Sequence, residues 1–227
     1  MDQKDKKNEK SAPSKKEESN EIPVQEPEKS SEVTTMQQQT NSSSATGTEN
    51  KNQLINNSME KKDQQSDLQK FFVDALQDIY YAEDAIEKSL AKIKHKATTE
   101  ELQEALEDHE LMTKKQLLRL EKVFKLLGEE AKKKKCDAID GIIKEVDEMI
   151  KHTEDGSMTR DVALIIGAQK VEHYEIATYG GLLQIAITLG HNKVADLLET
   201  TLDEEEETDY LLTEIAEEFV NFEAKEE

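Results

Sequence analysis

Rows of apolar residues spaced seven apart are the feature that most limits the fold of this chain. One row begins at Phe72 and ends at Ile93, and the segments 98–128 and 192–221 carry rows with the same spacing. A seven-residue repeat keeps one stripe of an α-helix facing its neighbours in a bundle. No strand-like alternation accompanies these rows. The sequence therefore predicts an all-α fold.

Capping and stop signals divide the folded part into helices. Residues 66–69 and 98–101 have the form of capping boxes, while Gly128 and Gly190 are expected helix ends. The predicted helices span about 67–96, 98–128, 137–151, 159–189 and 192–221. Because the third helix is short, we expect four long helices in a bundle and a small extra helix in the connection between the second and fourth.

The composition changes sharply near residue 66. Residues 1–66 contain all three prolines of the chain and no aromatic residue. Such a segment cannot bury enough apolar surface to offset the entropy of ordering. We therefore predict a disordered N-terminal tail (1–66) whose partner is unknown, one helical domain (67–222) and an acidic C-terminal end (223–227).

Charge and cysteine content limit the function. The formal net charge of −21 argues against nucleic-acid binding but not against metal cations. No apolar run is long enough to span a bilayer, and the N-terminal residues lack the apolar core of a signal peptide. The single Cys136 fits a reducing cytoplasm. No nucleophile–base arrangement or phosphate loop is present, so no reaction is assigned and the catalytic residues are unknown.

Each long predicted helix interrupts its apolar stripe with polar residues near the middle. The interrupting groups are Glu83 in the first helix, His109, Thr113 and Gln116 in the second, Gln169, Glu172 and His173 in the fourth, and Glu205 in the fifth. Antiparallel pairing about turns near residues 97 and 190 brings these groups to one level, at roughly 1.5 Å of rise per residue. Buried carboxylates repel one another unless they are protonated or bridged by cations. Carboxylate and imidazole together suit iron, manganese or zinc.

Several motifs make residues 68–222 similar to the YciE/YciF family of ferritin-like proteins. They are Tyr80–Glu83, His109 with Thr113, Cys136–Ile143, Gln169–Gly180, Leu202–Glu205, and Thr208 with Asp209. The resemblance implies a ferritin-like up-down four-helix bundle, a homodimer, a di-metal carboxylate site and a link to bacterial stress responses. The family usually reads His-Leu-Glu-Glu-Thr on the second helix, where this chain has Met112 in place of a bridging carboxylate. Thr208 replaces the histidine expected three residues after Glu205. The resemblance therefore implies an incomplete metal site that holds one ion or none.

The candidate residues form three groups. The leading candidates for metal ligands are Glu83, His109, Glu172 and Glu205. Further candidate ligands are His173, Gln169, Glu175 and Asp209. Hydrogen bonds that support the ligands are expected from Thr113, Gln116, Tyr174 and Thr208. The expected cofactor is a divalent ion, iron or manganese.

Two alternatives remain open at this point. A buried Glu or His is also satisfied by a neighbouring side chain, which would make the protein a non-catalytic helical homodimer with a structural polar core. An iron-storage shell of the Dps type is the third possibility, although its metal site lies between subunits and the polar residues of this chain lie inside the bundle. Gly180 and Gly181 in mid-helix predict the close approach of another helix, within the bundle or across a dimer.

Overall fold

The computed structural model describes residues 65–227, and all of its regular structure there is helical. The elements are α1 (Asp67–Ile93), a 3-10 turn (Lys94–Lys96), α2 (Glu100–Leu127), α3 (Asp137–His152), α4 (Met158–Thr188), α5 (Asn192–Ile215), a π-helical segment (Ala216–Val220) and α6 (Asn221–Glu226). The predicted all-α fold is confirmed. The predicted tail lies almost entirely outside the described residues.

Helix ends follow the capping signals of the sequence. The Ser66 hydroxyl accepts a hydrogen bond from Gln69 N, and the Thr99 hydroxyl accepts one from Leu102 N. Gly128 ends α2 with a φ of 73°, and Gly190 follows α4 with a φ of 77°. These left-handed conformations carry little penalty for glycine, which is why the chain reverses at these positions.

Adjacent long helices run antiparallel around a four-helix bundle. α1 packs against α2 and α4, and α5 packs against α2 and α4. The start of α4 meets the α1–α2 turn, where the Asp161 carboxylate accepts hydrogen bonds from Thr98 N (2.6 Å) and Thr99 N (2.8 Å). At the opposite end, the α4–α5 turn meets the start of α1, and His191 Nε2 lies 2.8 Å from Gln69 Oε1. The predicted up-down bundle with a crossover between the second and fourth helices is therefore confirmed, and α2 and α4 both start at the same end.

The crossover from α2 to α4 lies outside the bundle and is tied to α1. Lys134 N donates to Gln77 O (3.0 Å), and Lys134 Nζ pairs with Asp74 (2.6 Å). α3 then packs on α1 and α4. A Cβ atom on Gly167 of α4 would lie 2.7 Å from Val146 Cγ2 of α3, so this glycine permits the close approach of the two helices.

Two details differ from the predicted helices. The fifth predicted helix changes to π-helical geometry at Ala216–Val220 instead of continuing as one α-helix. A Cβ atom on Gly180 or Gly181 would meet no atom of the described part of the chain within 4 Å, so the prediction of a close helix approach inside the bundle is wrong. The alternative of an approach across a dimer stays a prediction.

Candidate functional site

Four buried ionisable side chains meet in the middle of the bundle. His109 of α2, Glu172 and Glu175 of α4, and Glu205 of α5 each offer one ligand atom, and these atoms lie within 4.8 Å of one another. Each side chain has a local reason to face inward. His109 and Glu205 occupy seven-residue rows with leucines before or after them, and Glu172 and Glu175 are three residues apart on one helix face.

Within residues 65–227, few polar atoms of this group have a hydrogen-bond partner. The atoms without one are His109 Nδ1 and Nε2, both carboxylate oxygens of Glu172, Glu175 Oε1 and Glu205 Oε2. The ring nitrogens of His109 lie 3.3 Å from Glu172 Oε1 and 3.8 Å from Glu205 Oε2. Buried polar groups are normally paired, so a cluster of unpaired ones calls for protons shared between carboxyl groups or for an ion.

Glu83 of α1 lies at the edge of this group. The Tyr179 hydroxyl of α4 donates a hydrogen bond to Glu83 Oε1. The charge of Glu205 raises the pKa of Glu83, and the charge of Glu83 raises the pKa of Glu175. The first candidates from the sequence therefore come together, with Glu175 beside His109 and Glu83 held by a tyrosine.

Burial makes the charged forms of these groups unfavourable. It raises the pKa of Glu83, Glu172 and Glu175 well above the ordinary value, and mutual repulsion adds to the effect. Burial likewise raises the pKa of Glu205 to about 7. It lowers the pKa of His109 to about 4, so the imidazole is neutral near pH 7 and keeps a lone pair for a metal.

A polar network on the α2–α5 side positions Glu205. Gln116 Nε2 donates to Glu205 Oε1 (2.6 Å) and to Glu204 Oε2 (3.1 Å). Arg119 forms a bidentate pair with Glu204, with both contacts at 2.7 Å, and also donates to Thr201 Oγ1 (2.8 Å). The guanidinium lowers the pKa of both Glu83 and Glu205, although burial raises each by more.

The other candidates lie outside the central group. The His173 side chain is 70% exposed, and its Nε2 lies 3.2 Å from Asp209 Oδ2. Gln169 donates to Thr213 Oγ1 (2.8 Å). His173 does not interrupt the buried stripe of α4, because the inward face of that helix turns Glu172 and Glu175 to the centre instead.

Some of the residues predicted to support the ligands contact the central group, and others do not. Gln116 contacts Glu205 directly, and the Thr113 hydroxyl donates to the backbone oxygen of His109 (2.9 Å). The Tyr174 hydroxyl lies 3.2 Å from Cys136 Sγ, on the side of the crossover. Thr208 donates to Glu204 O (3.0 Å) in its own helix. Tyr174 therefore does not support the central group.

Comparisons with known proteins give the family of this chain. Residues 67–225 match the family described as a domain of unknown function, DUF892. The chain belongs to this family. It is 42% identical to protein YciF of Escherichia coli K12 over 155 residues, which are 68% of this chain and 93% of that protein. The resemblance to the YciE/YciF family seen in the sequence is confirmed.

Two solved structures share the fold. The E. coli stress protein YciF has a TM-score of 0.66 and 39% identity, over 69% of this chain and 99% of that one. YcfI, a putative structural protein from Rhodopseudomonas palustris, has a TM-score of 0.63 and 42% identity, over 66% of this chain and 95% of that one. Among the described helices, none is both long and apolar enough to cross a membrane.

Proposed function

We propose that this protein binds a divalent metal ion, iron or manganese, at the centre of its bundle and acts in a bacterial stress response. The stress role rests on the similarity to the E. coli stress protein YciF. The observation that carries the metal proposal is the set of buried, unpartnered oxygen and nitrogen atoms on His109, Glu172, Glu175 and Glu205. Neutral imidazole and carboxylate form a ligand set that suits iron and manganese.

The group must contract slightly around an ion. Two ligand atoms at about 2.1 Å from one ion are at most about 4.2 Å apart. The ligand atoms of this group spread over as much as 4.8 Å. Only ligands on opposite sides of the ion reach that limit and other pairs lie closer, so side-chain movements on the order of an ångström are needed. One ion per chain is expected, because Met112 and Thr208 lack the carboxylate and imidazole of a second site.

Protons and the ion compete for the same carboxyl groups. Without metal, the raised pKa values keep part of Glu172, Glu175 and Glu205 neutral at pH 7. Metal binding therefore releases protons. A bound iron or manganese ion would supply Lewis-acid or redox chemistry, whereas the residues of this chain hold the ligand oxygens and exclude bulk water.

Glu172→Gln tests the metal proposal because it removes a ligand charge and keeps the side-chain shape. Metal analysis of the wild-type protein purified without chelator should give about one ion per chain, as the ligand set indicates. The variant should bind far less, and chelator should no longer lower its melting temperature. Glu206→Gln is the control, since Glu206 is exposed on α5. A wild-type protein that takes up no iron or manganese and gains no stability from either would contradict the proposal.

A structural polar core in a homodimer is the second candidate function. The hydroxyl of Tyr179 and the amide of Gln116 donate hydrogen bonds to Glu83 and Glu205, and the R. palustris relative is described as a putative structural protein. In this case Glu172→Gln leaves metal content unchanged and stabilises the protein by relieving repulsion.

The homodimer is a proposal common to both functions. Leu111 and Leu118 are exposed two turns apart on α2 and offer an apolar surface to a second copy. Sedimentation at tens of micromolar should show a dimer, roughly where a specific dimer persists. A monomer would contradict this, and a shell of many subunits would favour iron storage.

A further inference from the structure

Two openings reach His109 from opposite sides. One is a small cavity of about 20 Å³ between α1, α3 and α4. Apart from His109 and Ser89, aliphatic residues and Gly167 line it. The other is a groove of about 170 Å³ between α2 and α5. Its wall includes Ala105, Asp108, His109, Glu204, Glu207 and Thr208.

The two openings differ in the chemistry of their lining residues, and this difference decides which of them a cation can enter. Moving a cation into an apolar cavity without polar partners costs many kcal/mol, because the ion loses its hydration. The small cavity offers such an ion almost only methyl and methylene groups. The groove instead presents three carboxylates and a hydroxyl, which can replace water molecules one at a time.

Two of the groove carboxylates are available to a passing cation. Asp108 and Glu207 form no ion pair with any residue in 65–227, whereas Glu204 is held by Arg119. Asp203, Glu206 and Glu214 line a neighbouring depression on α5 that Glu207 also borders. The negative potential outside the groove is therefore continuous with its wall, and such a field raises the local concentration of cations.

The inner end of the groove is a buried, unpartnered ligand. His109 is 3% exposed, and neither of its ring nitrogens has a hydrogen-bond partner among the residues that the structure describes. Its Nε2 lies 3.8 Å from Glu205 Oε2, on the α5 side. An ion that moves along the groove thus meets carboxylates first and then the imidazole of the central group.

From this arrangement we infer that the α2–α5 groove is the path by which a divalent cation reaches the buried centre, with Asp108 and Glu207 as the groups that draw it in. The inference rests on the proposed metal binding and adds the route. Asp108 and Glu207 speed capture and do not hold the ion in its final position.

The rate of cation uptake tests the route. Co²⁺ is mixed with metal-free protein in a stopped-flow instrument, and its visible absorption is followed as it gains nitrogen and carboxylate ligands. Asp108→Asn with Glu207→Gln should lower the association rate about tenfold, within the range of electrostatic steering. The salt dependence of that rate should also become weaker. The number of ions bound at saturation should stay at the wild-type value.

A matched control distinguishes an effect of the groove carboxylates on the uptake rate from an effect of the overall charge. Asp147→Asn with Glu218→Gln removes the same two charges from exposed positions on α3 and the π-helical segment. This control should bind Co²⁺ at nearly the wild-type rate. If the groove variant and the control show equal rates, the route is wrong although metal binding stands.

A steric variant gives an independent measurement. Ala105→Leu adds bulk to the groove wall without changing charge, so it should slow association and dissociation by the same factor and leave the dissociation constant unchanged. Unchanged rates in this variant, with wild-type melting behaviour, would also overturn the route. If wild-type protein binds no Co²⁺ at equilibrium, the proposed function and the route fail together.

Discussion

Glu205→Gln should stabilise the metal-free protein at alkaline pH. Glu205 is fully buried, and burial raises its pKa from 4.5 to about 7. The unfolded chain loses this proton near pH 4.5, whereas the folded chain keeps it until about pH 7. Stability therefore falls as the pH rises through this window. A separation of roughly 2.5 pKa units at 1.36 kcal/mol per unit is about 3 kcal/mol above pH 7.

The variant removes this cost because glutamine does not ionise, and its oxygen can still accept the hydrogen bond from Gln116. With chelator at pH 8, the free energy of unfolding should exceed that of the wild type by about 3 kcal/mol, or roughly 6–12 °C in melting temperature. At pH 4.5 the difference should nearly vanish. Urea unfolding at both pH values measures it, with Glu206→Gln as control. A variant no more stable than wild type at pH 8 would refute the reasoning.

Three further expectations concern other parts of the molecule. Met112→Glu restores the carboxylate usual in the family, so metal analysis should show occupancy rising toward two ions per chain, and unfolding without metal should show a loss of stability. Gly167→Ala should cost up to about 2 kcal/mol in urea unfolding, because overpacking against Val146 exceeds the helix gain of about 1 kcal/mol. Gly141→Ala in α3, where no atom of residues 65–227 would meet the added Cβ within 4 Å, should instead gain about 1 kcal/mol. Removing residues 1–64 should leave the melting temperature in calorimetry unchanged, since that segment lacks the residues that form a core.

The helices could be predicted from the sequence because local and long-range signals agree. The rows of α1 from Phe72 to Ile93 are buried throughout, and capping by Ser66 and Thr99 occurs where the sequence places it. The π-helical segment at Ala216–Val220 has no comparable signal, since its residues keep the apolar spacing of an ordinary helix end.

The residues of α4 that face the centre of the bundle are harder to predict, because this helix is apolar on more than one side. It buries residues against the bundle on one face and against α3 on another. Ile166 and Ile187 look like members of the buried stripe but are 46% and 51% exposed. A small rotation of the expected stripe turns His173 to solvent and Glu175 to the centre, although the sequence names both only as further candidates. Glu175 then joins His109, Glu172 and Glu205, whereas Glu83 lies at the edge of the group.

Arg119 shows why the rest of the site could not be predicted from spacing. It lies between Leu118 and Leu120, off the buried row of α2, and a surface arginine in that position has no distinctive pattern. Only the packing of α5 against α2 brings Glu204 within 2.7 Å of its guanidinium. The ion pair with Arg119 neutralises Glu204 on the α2 side, whereas the neighbouring Glu205 side chain lies at the centre of the bundle. The seven-residue row identifies the buried carboxylate, but the choice between adjacent glutamates depends on a contact between two helices far apart in sequence.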